Sequence, residues 1–231
     1  MNYAAILASG VGSRMGAAIP KQFLCIDGEP IIIKSLKAFI ASGSIDGYII
    51  AVNSDWLTYC KEQVAKFCPD CEVFYCIGGS SRNETMLNII AFLNDELKLK
   101  YDDIVLTHDA VRPFINSEII NSNIEAAKLW GAANTVIPAV DSMILSEDGE
   151  FTSQSLPRPE VFHVQTPQSF QFGQLSEVYQ SLSAEAQASI TDAAAAFTLL
   201  GKKVKLVQGS AQNIKITFPA DLNHSTSKGC S

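Results

Sequence analysis

Basic residues are in short supply. Seventeen lysines and arginines face 24 acidic residues over 231 positions, a net charge of −7. Such a chain does not attract nucleic-acid backbones or anionic membranes, so any cationic site must be local. Long apolar runs are missing as well: none reaches the roughly 18 to 20 residues of a membrane span. The first residues enter a strand pattern at once instead of a basic-then-apolar leader, and the expectation is a cytoplasmic protein. Histidine is scarce, with three in all, while cysteine numbers six. Cys60, Cys68, Cys71 and Cys76 cluster, and Cys68-Pro69-Asp70-Cys71 has CxxC spacing. Neither a second close pair nor nearby histidines follow to complete a zinc set. A redox CxxC opens a helix after a strand, whereas this one closes a helical pattern; the thiols read as small packing groups.

Two common nucleotide signatures are also absent. The dinucleotide fingerprint needs glycine at the sixth place from Gly10, where Met15 stands, and the P-loop needs Gly-Lys before Ser or Thr, whereas Lys21 follows Pro20 and precedes Gln22. What the chain does have is the strand Ala4–Leu7 feeding Ala8-Ser9-Gly10-Val11-Gly12-Ser13-Arg14-Met15-Gly16, then Pro20-Lys21-Gln22-Phe23. Glycine lets the backbone approach an anion closely, and Arg14 and Lys21 add two cations that can act at a phosphorus. The alternative is a glycine-rich surface turn with solvated cations. Its place directly after the first strand favours the nucleotide reading.

A chain of this length fits one domain with a full core. Apolar strands at 48–52, 73–77, 104–107 and 132–140 alternate with helical patterns at 32–40, 56–67, 83–97 and 117–130, the last with a serine cap. Continuous apolar strands between helices predict an α/β fold with a mostly parallel sheet covered on both faces. Ligands gather at the carboxyl ends of such strands, where the loops 8–23, 78–85 and 108–114 all fall. Residues 141–165 break the alternation and read as a hairpin-like excursion around Glu147-Asp148-Gly149-Glu150. Helix resumes at Gly173, Thr191-Asp192 caps an alanine-rich helix, and strands at 204–207 and 214–217 precede a short helix after Pro219.

Asp109 in His108-Asp109-Ala110-Val111-Arg112-Pro113-Phe114 ends a buried strand, where one carboxylate can hold Mg²⁺ bridging nucleotide phosphates. Arg112 can grip a second phosphorylated substrate. A capping Asp and a structural Arg remain the alternative, and His108 reads as an ordinary hydrogen-bonded histidine. Gly78-Gly79-Ser80-Ser81-Arg82-Asn83-Glu84-Thr85 admits a base or ribose near its glycines, or is simply helix entry. Gln165-Thr166-Pro167-Gln168-Ser169-Phe170 reads as a polar loop. Lys215, in the apolar strand 214–217, should need an anionic partner.

In order, GxGxRMG…PKQF, GGxxR, HDAxRP, QTPQxF, ITDA and NIKIT resemble one family over Tyr3 to about Leu222: the cytidylyltransferases that join CTP to a polyol phosphate. The resemblance implies a Rossmann-like three-layer nucleotide-diphospho-sugar transferase fold spanning 1–231 as one domain. It implies Mg²⁺-dependent CMP transfer, with Arg14, Lys21 and Lys215 catalytic at the α-phosphate and Asp109 on the metal. The nucleotide would meet Ala8, Ser9, Gly10, Gly12, Gly79, Arg82 and Thr85. Arg112, Ser142, Arg158, Thr166, Thr191 and Asp192 would line the polyol-phosphate side, and the 141–165 arm would exchange in a homodimer. Residues 82–85, 108–114 and 190–193 resemble the ribitol-5-phosphate branch, which makes CDP-ribitol for teichoic acids, more than the methylerythritol-phosphate branch of isoprenoid synthesis. Ser9 in place of the usual glycine, Val164 before Gln165 and Ser142 for threonine depart from the pattern. A catalytically silent nucleotide-binding protein is the reading from another class, and a sugar-1-phosphate nucleotidyltransferase a third.

Overall fold

Ala4, Ala5 and Ile6 have no solvent exposure at all, because the strand that carries them, β1 (Asn2–Ala8), runs through the middle of the sheet. The computed structural model describes residues 1–10 and 19–225. After β1 come a two-stranded ribbon, β2 (Cys25–Ile26) with β3 (Glu29–Pro30), then α1 (Ile31–Ser42), β4 (Gly47–Val52), α2 (Leu57–Phe67), β5 (Val73–Ile77) and α3 (Arg82–Asp95). The chain continues through β6 (Ile104–Asp109), α4 (Ser117–Trp130), β7 (Ala132–Pro138), β8 (Ile144–Leu145), β9 (Gln154–Ser155) and β10 (Phe162–Gln171). It closes with α5 (Phe172–Ser181), α6 (Ala184–Ser189), α7 (Ala193–Leu199), β11 (Lys205–Gln208) and a 3-10 turn at Pro219–Ser225.

The main sheet has seven strands in the order β11-β7-β10-β6-β1-β4-β5. Every neighbouring pair is parallel except those made by β10, which runs antiparallel between β6 and β7. Alternation along β1 sends Ala4 and Ile6 to the face covered by α1, α2 and α4, and Tyr3 and Ala5 to the face covered by α3, α5 and α7. The expected three-layer α/β fold is therefore present. Burying an isoleucine or phenylalanine fully stabilises by roughly 1.5–3 kcal/mol, and Ile32, Ile33, Phe39, Ile49 and Phe170 are all at zero exposure.

Local chemistry sets the element ends. Asn116, not Ser117 as the sequence pattern predicts, caps α4 by accepting from the Ile119 amide at 3.0 Å. Gly131 ends it at φ +83°, its N–H bonded to Ala127. Ser81 caps α3 through the Glu84 amide, while Glu84 reaches back to the Ser80 amide at 2.7 Å. Among the described residues, no helix is long and apolar enough to cross a membrane.

Three expectations need correction. Gln165–Phe170 is not a loop but part of central strand β10, buried from Gln165 to Phe170. Its polar side chains are bonded inside the fold, Thr166 to His108 on β6, Gln168 to Asn134 on β7 and Ser169 to Asn123 on α4, so a composition test for apolar strands passes over it. Residues 214–217 join no ladder; the segment is held to the Val111 carbonyl by the Ile216 amide at 2.9 Å. The excursion ends earlier than 165: β8 and β9 form its hairpin, and β10 starts at Phe162.

Candidate active site

The carboxyl ends of β1, β5 and β6 open onto a cavity of about 300 Å³. Its wall includes Ala8, Ser9, Gly10, Lys21, Gly79, Arg82, Asp109 and Lys215. Gly12 and Arg14 lie outside the described residues. Lys21 starts a 3-10 turn and donates to the Ile216 carbonyl at 3.3 Å. Beside it, buried Gln22 ties the strand end to the loop, donating to Ala8 O at 2.7 Å and Gly10 O at 3.0 Å. That role for Gln22, and the place of Asn53 on the same wall, went unread in the sequence. The PKQF motif carried the first signal.

Asp109 is the electrostatic centre. Its Oδ1 accepts from Arg82 at 2.6 Å; its Oδ2 lies 2.9 Å from Lys215 Nζ and 3.7 Å from Arg112 Nε. Burial alone would raise this carboxyl, but Arg82 and Lys215, by attraction and by hydrogen bonds, hold it well below the usual carboxylate range. Lys215 finds its anion here as predicted, yet its side chain is 44% exposed and its segment is not a strand. A surface-facing cation beside a buried carboxylate can turn toward an incoming phosphate at little cost.

Behind Asp109 lies a floor of fixed hydrogen bonds. His108 Nε2 is 3.1 Å from the Arg112 carbonyl, which can only accept, so Nε2 carries the proton. Nδ1, 3.0 Å from Thr166 Oγ1, must then accept the threonine's proton, while Thr166 Oγ1 accepts from the Asp109 amide at 3.1 Å. The Thr166 hydroxyl is thereby left as an acceptor toward the cavity. Burial pushes the His108 imidazole down to about 4, keeping it neutral. Asn213 donates to Thr166 O at 2.8 Å, and its own carbonyl accepts from Arg112 at 2.8 Å. Gln165 donates to the Ser210 carbonyl at 2.8 Å and accepts from Asn213 at 3.3 Å. His108, Gln165 and Asn213 thus organise the site without having been read as site residues; the motifs HDAxRP, QTPQxF and NIKIT held them, and only by resemblance.

A second cavity, about 200 Å³, adjoins the first and takes in Arg112, Thr166, Thr191 and Asp192. Arg82, Asp109 and Lys215 line both. β10 aims Thr166 inward because its register shifts between Val164 and Gln168. Asp192 caps α7 through the Ala195 amide at 2.9 Å. Ser142 and Arg158 are not brought into this group: they bond each other at 3.3 Å on the exposed hairpin. Thr85, expected against the nucleoside, has no exposure and stands behind the wall instead.

The residues do not fit a resident divalent ion. The only carboxylate shared by the cavities has both oxygens engaged by cations, and no cluster of metal-ligating side chains exists among the described residues. A divalent ion would have to arrive on the phosphates of a nucleotide, as part of the substrate.

A family model described as 2-C-methyl-D-erythritol 4-phosphate cytidylyltransferase matches residues 3–227. A solved 4-diphosphocytidyl-2C-methyl-D-erythritol synthase is 30% identical with a TM-score of 0.77, over 95% of this chain and 94% of its own. The 2-C-methyl-D-erythritol 4-phosphate cytidylyltransferase of Francisella tularensis is 27% identical with a TM-score of 0.79, over 97% and 98%. The synthase of Anaerococcus prevotii is 26% identical with a TM-score of 0.78, over 96% and 94%.

Proposed function

The chain belongs to the 2-C-methyl-D-erythritol 4-phosphate cytidylyltransferase family, and from that membership we propose that it transfers CMP from CTP to 2-C-methyl-D-erythritol 4-phosphate. The ribitol preference read from residues 82–85, 108–114 and 190–193 is not supported by the matches, which back the methylerythritol alternative. The observation that carries the reading is the shared wall: Arg82, Asp109 and Lys215 stand between a glycine-lined cavity and a second, polar one. Two polyanions placed either side would meet at these cations.

CTP would lie along Ser9, Gly10 and Gly79 with its α-phosphate near Lys21 and Lys215, and with Arg14 expected at the same group. The acceptor would bind by its phosphate to Arg112 and by its hydroxyls to Thr166, Thr191 and Asp192. An acceptor phosphate oxygen attacks the α-phosphorus in line. The bond from that phosphorus to the bridging oxygen breaks, and pyrophosphate leaves with the electron pair. No protein nucleophile is needed; the cations hold the groups in line and stabilise charge on the equatorial oxygens. Magnesium enters as the counterion of CTP. We also propose that the hairpin arm, with Ile144, Leu145 and Phe151 exposed, packs on a second subunit and brings Ser142 and Arg158 to its site; light scattering checks the dimer.

Pyrophosphate release from CTP should require methylerythritol phosphate, and Lys21→Ala should lower kcat by about 10²–10³-fold. Release with ribitol 5-phosphate and none with methylerythritol phosphate would reverse the acceptor. Release with neither would leave the silent nucleotide-binding reading.

A further inference from the structure

We infer that Asn83 is a positioning residue for the acceptor, a tether that holds the segment 190–192 against the second cavity; this rests on the acceptor binding there beside Thr191 and Asp192. Asn83 lines neither cavity. It stands on the first turn of α3 next to Arg82, and the two side chains serve different partners. Arg82 reaches Asp109 at 2.6 Å. Asn83 Nδ2 donates to the Ile190 carbonyl at 3.0 Å and to the Gln187 carbonyl, 107 and 104 positions along the chain. One helix start thereby grips both the charged centre of the site and the turn that carries two acceptor-side residues.

The far end of the tether is the close of a short helix. α6 runs from Ala184 to Ser189, and the last carbonyls of a helix find no partner within it. The Ile190 amide takes the Ala186 carbonyl at 3.2 Å, and Asn83 takes those of Gln187 and Ile190. Two positions on, Asp192 caps α7 through the Ala195 amide at 2.9 Å. The segment is therefore pinned by Asn83 at one end and by the cap at the other, with exposed Thr191 between them. The chemistry singles out an amide. Nδ2 carries two protons and a carbonyl can only accept, so both protons are spent here. Oδ1 is buried and has no hydrogen-bond partner among the described residues, so the side chain acts through donation alone. An aspartate has nearly the same shape and no proton to give, and its oxygens would face two carbonyls.

The experiment compares the wild type, Asn83→Ala and Asn83→Asp by steady-state kinetics, by Kd for methylerythritol phosphate and ribitol 5-phosphate, and by amide hydrogen exchange over 187–192. Both variants should exchange faster in that segment and raise the acceptor KM by about 10-fold, the aspartate more than the alanine, while the KM for CTP stays within about twofold. A merely structural loss at the start of α3 would move both constants together through Arg82. Unchanged exchange in both variants, an unchanged acceptor KM and Kd, or an aspartate variant that behaves as the wild type overturns the inference. If no polyol phosphate is cytidylylated but its Kd still rises in both variants, the transfer reading fails and the tether stands. Binding of neither polyol phosphate to the wild type overturns both.

Discussion

The two sides of the site are built on opposite plans. The side proposed for the nucleotide is a partly exposed rim, Ser9–Gly10 and Gly78–Ser81, that follows the mostly apolar strands β1 and β5. The side proposed for the acceptor is a floor of buried polar side chains: His108 on β6, Thr166 and Gln165 on the antiparallel intruder β10, and Asn213 on the segment after β11. The rim can adjust to a ligand because little is fixed there but helix entry and the Ser9–Thr85 bond. The floor is more constrained, because His108, Thr166 and Gln165 are each bonded to a neighbour and Asn213 donates to two of them. On the proposed function, nucleotide affinity would depend on the first and alignment of the acceptor on the second. Substitutions in the floor should therefore cost both fold and chemistry, and those in the rim should be mild to the fold.

Asp109→Asn is the severest challenge to that contrast. It removes the charge between Arg82, Arg112 and Lys215 and leaves cations facing each other, two of them mostly buried. Losing one member of a buried ion pair costs about 3–5 kcal/mol, and the exposure of Lys215 places this site toward the lower end. Transfer should fall with it, by about 100-fold or more. Denaturant midpoints and steady-state rates together check this. A variant within about 1 kcal/mol of wild type would show the floor to be as tolerant as the rim.

Next in size is a pH effect from His108. An unfolded histidine titrates near 6.5, and the buried imidazole near 4, so as pH falls the unfolded chain takes the proton first. Stability from this group is complete above about 6.5 and drains away between 6.5 and 4, by roughly 3 kcal/mol in total. Urea midpoints at pH 7 and pH 4.5 measure it, and His108→Gln should flatten that part of the profile. An unchanged slope in the variant would assign the effect to other groups and leave His108 a bystander of the floor.

The same contrast decides what can be read from sequence. The rim is legible because its chemistry needs rare types at fixed spacing: Gly10, Gly79 and Lys21 mark themselves, and β1, β4, β5 and the first half of β6 are mostly apolar runs. β10 is not, because Gln165, Thr166, Gln168 and Ser169 are polar yet buried. Gln168 bonds to Asn134 at 3.0 Å and Ser169 to Asn123 at 3.3 Å, partners 34 and 46 residues away. Only the folded chain, with β7 beside β10 and α4 packed on it, brings those pairs together, so the segment reads as a loop from composition. Lys215 shows the intermediate case. Its need for an anion follows from an apolar neighbourhood, but the partner is over 100 positions distant. Its segment is extended without joining a ladder, a distinction that local pattern does not make. Thr85 errs the other way: its type suits a ligand contact, and only burial reveals that Ser9 stands in front of it.

The smallest effect tests the rim. Ser81 caps α3, accepting from the Glu84 amide at 3.1 Å, and the helix it opens carries Arg82 on its first turn. Ser81→Ala should cost about 1 kcal/mol, the usual worth of such a cap, or a fall of roughly 2–4 °C in Tm for a chain of this size. Glu84 still reaches the Ser80 amide and hydroxyl, so the helix start persists. Because Ser81 lines the nucleotide cavity and not the second one, KM for CTP should rise a few-fold while KM for the acceptor stays put. Should both constants move together, α3 transmits its position to the floor through the Arg82–Asp109 pair, and the two halves of the site are one mechanical unit instead of two.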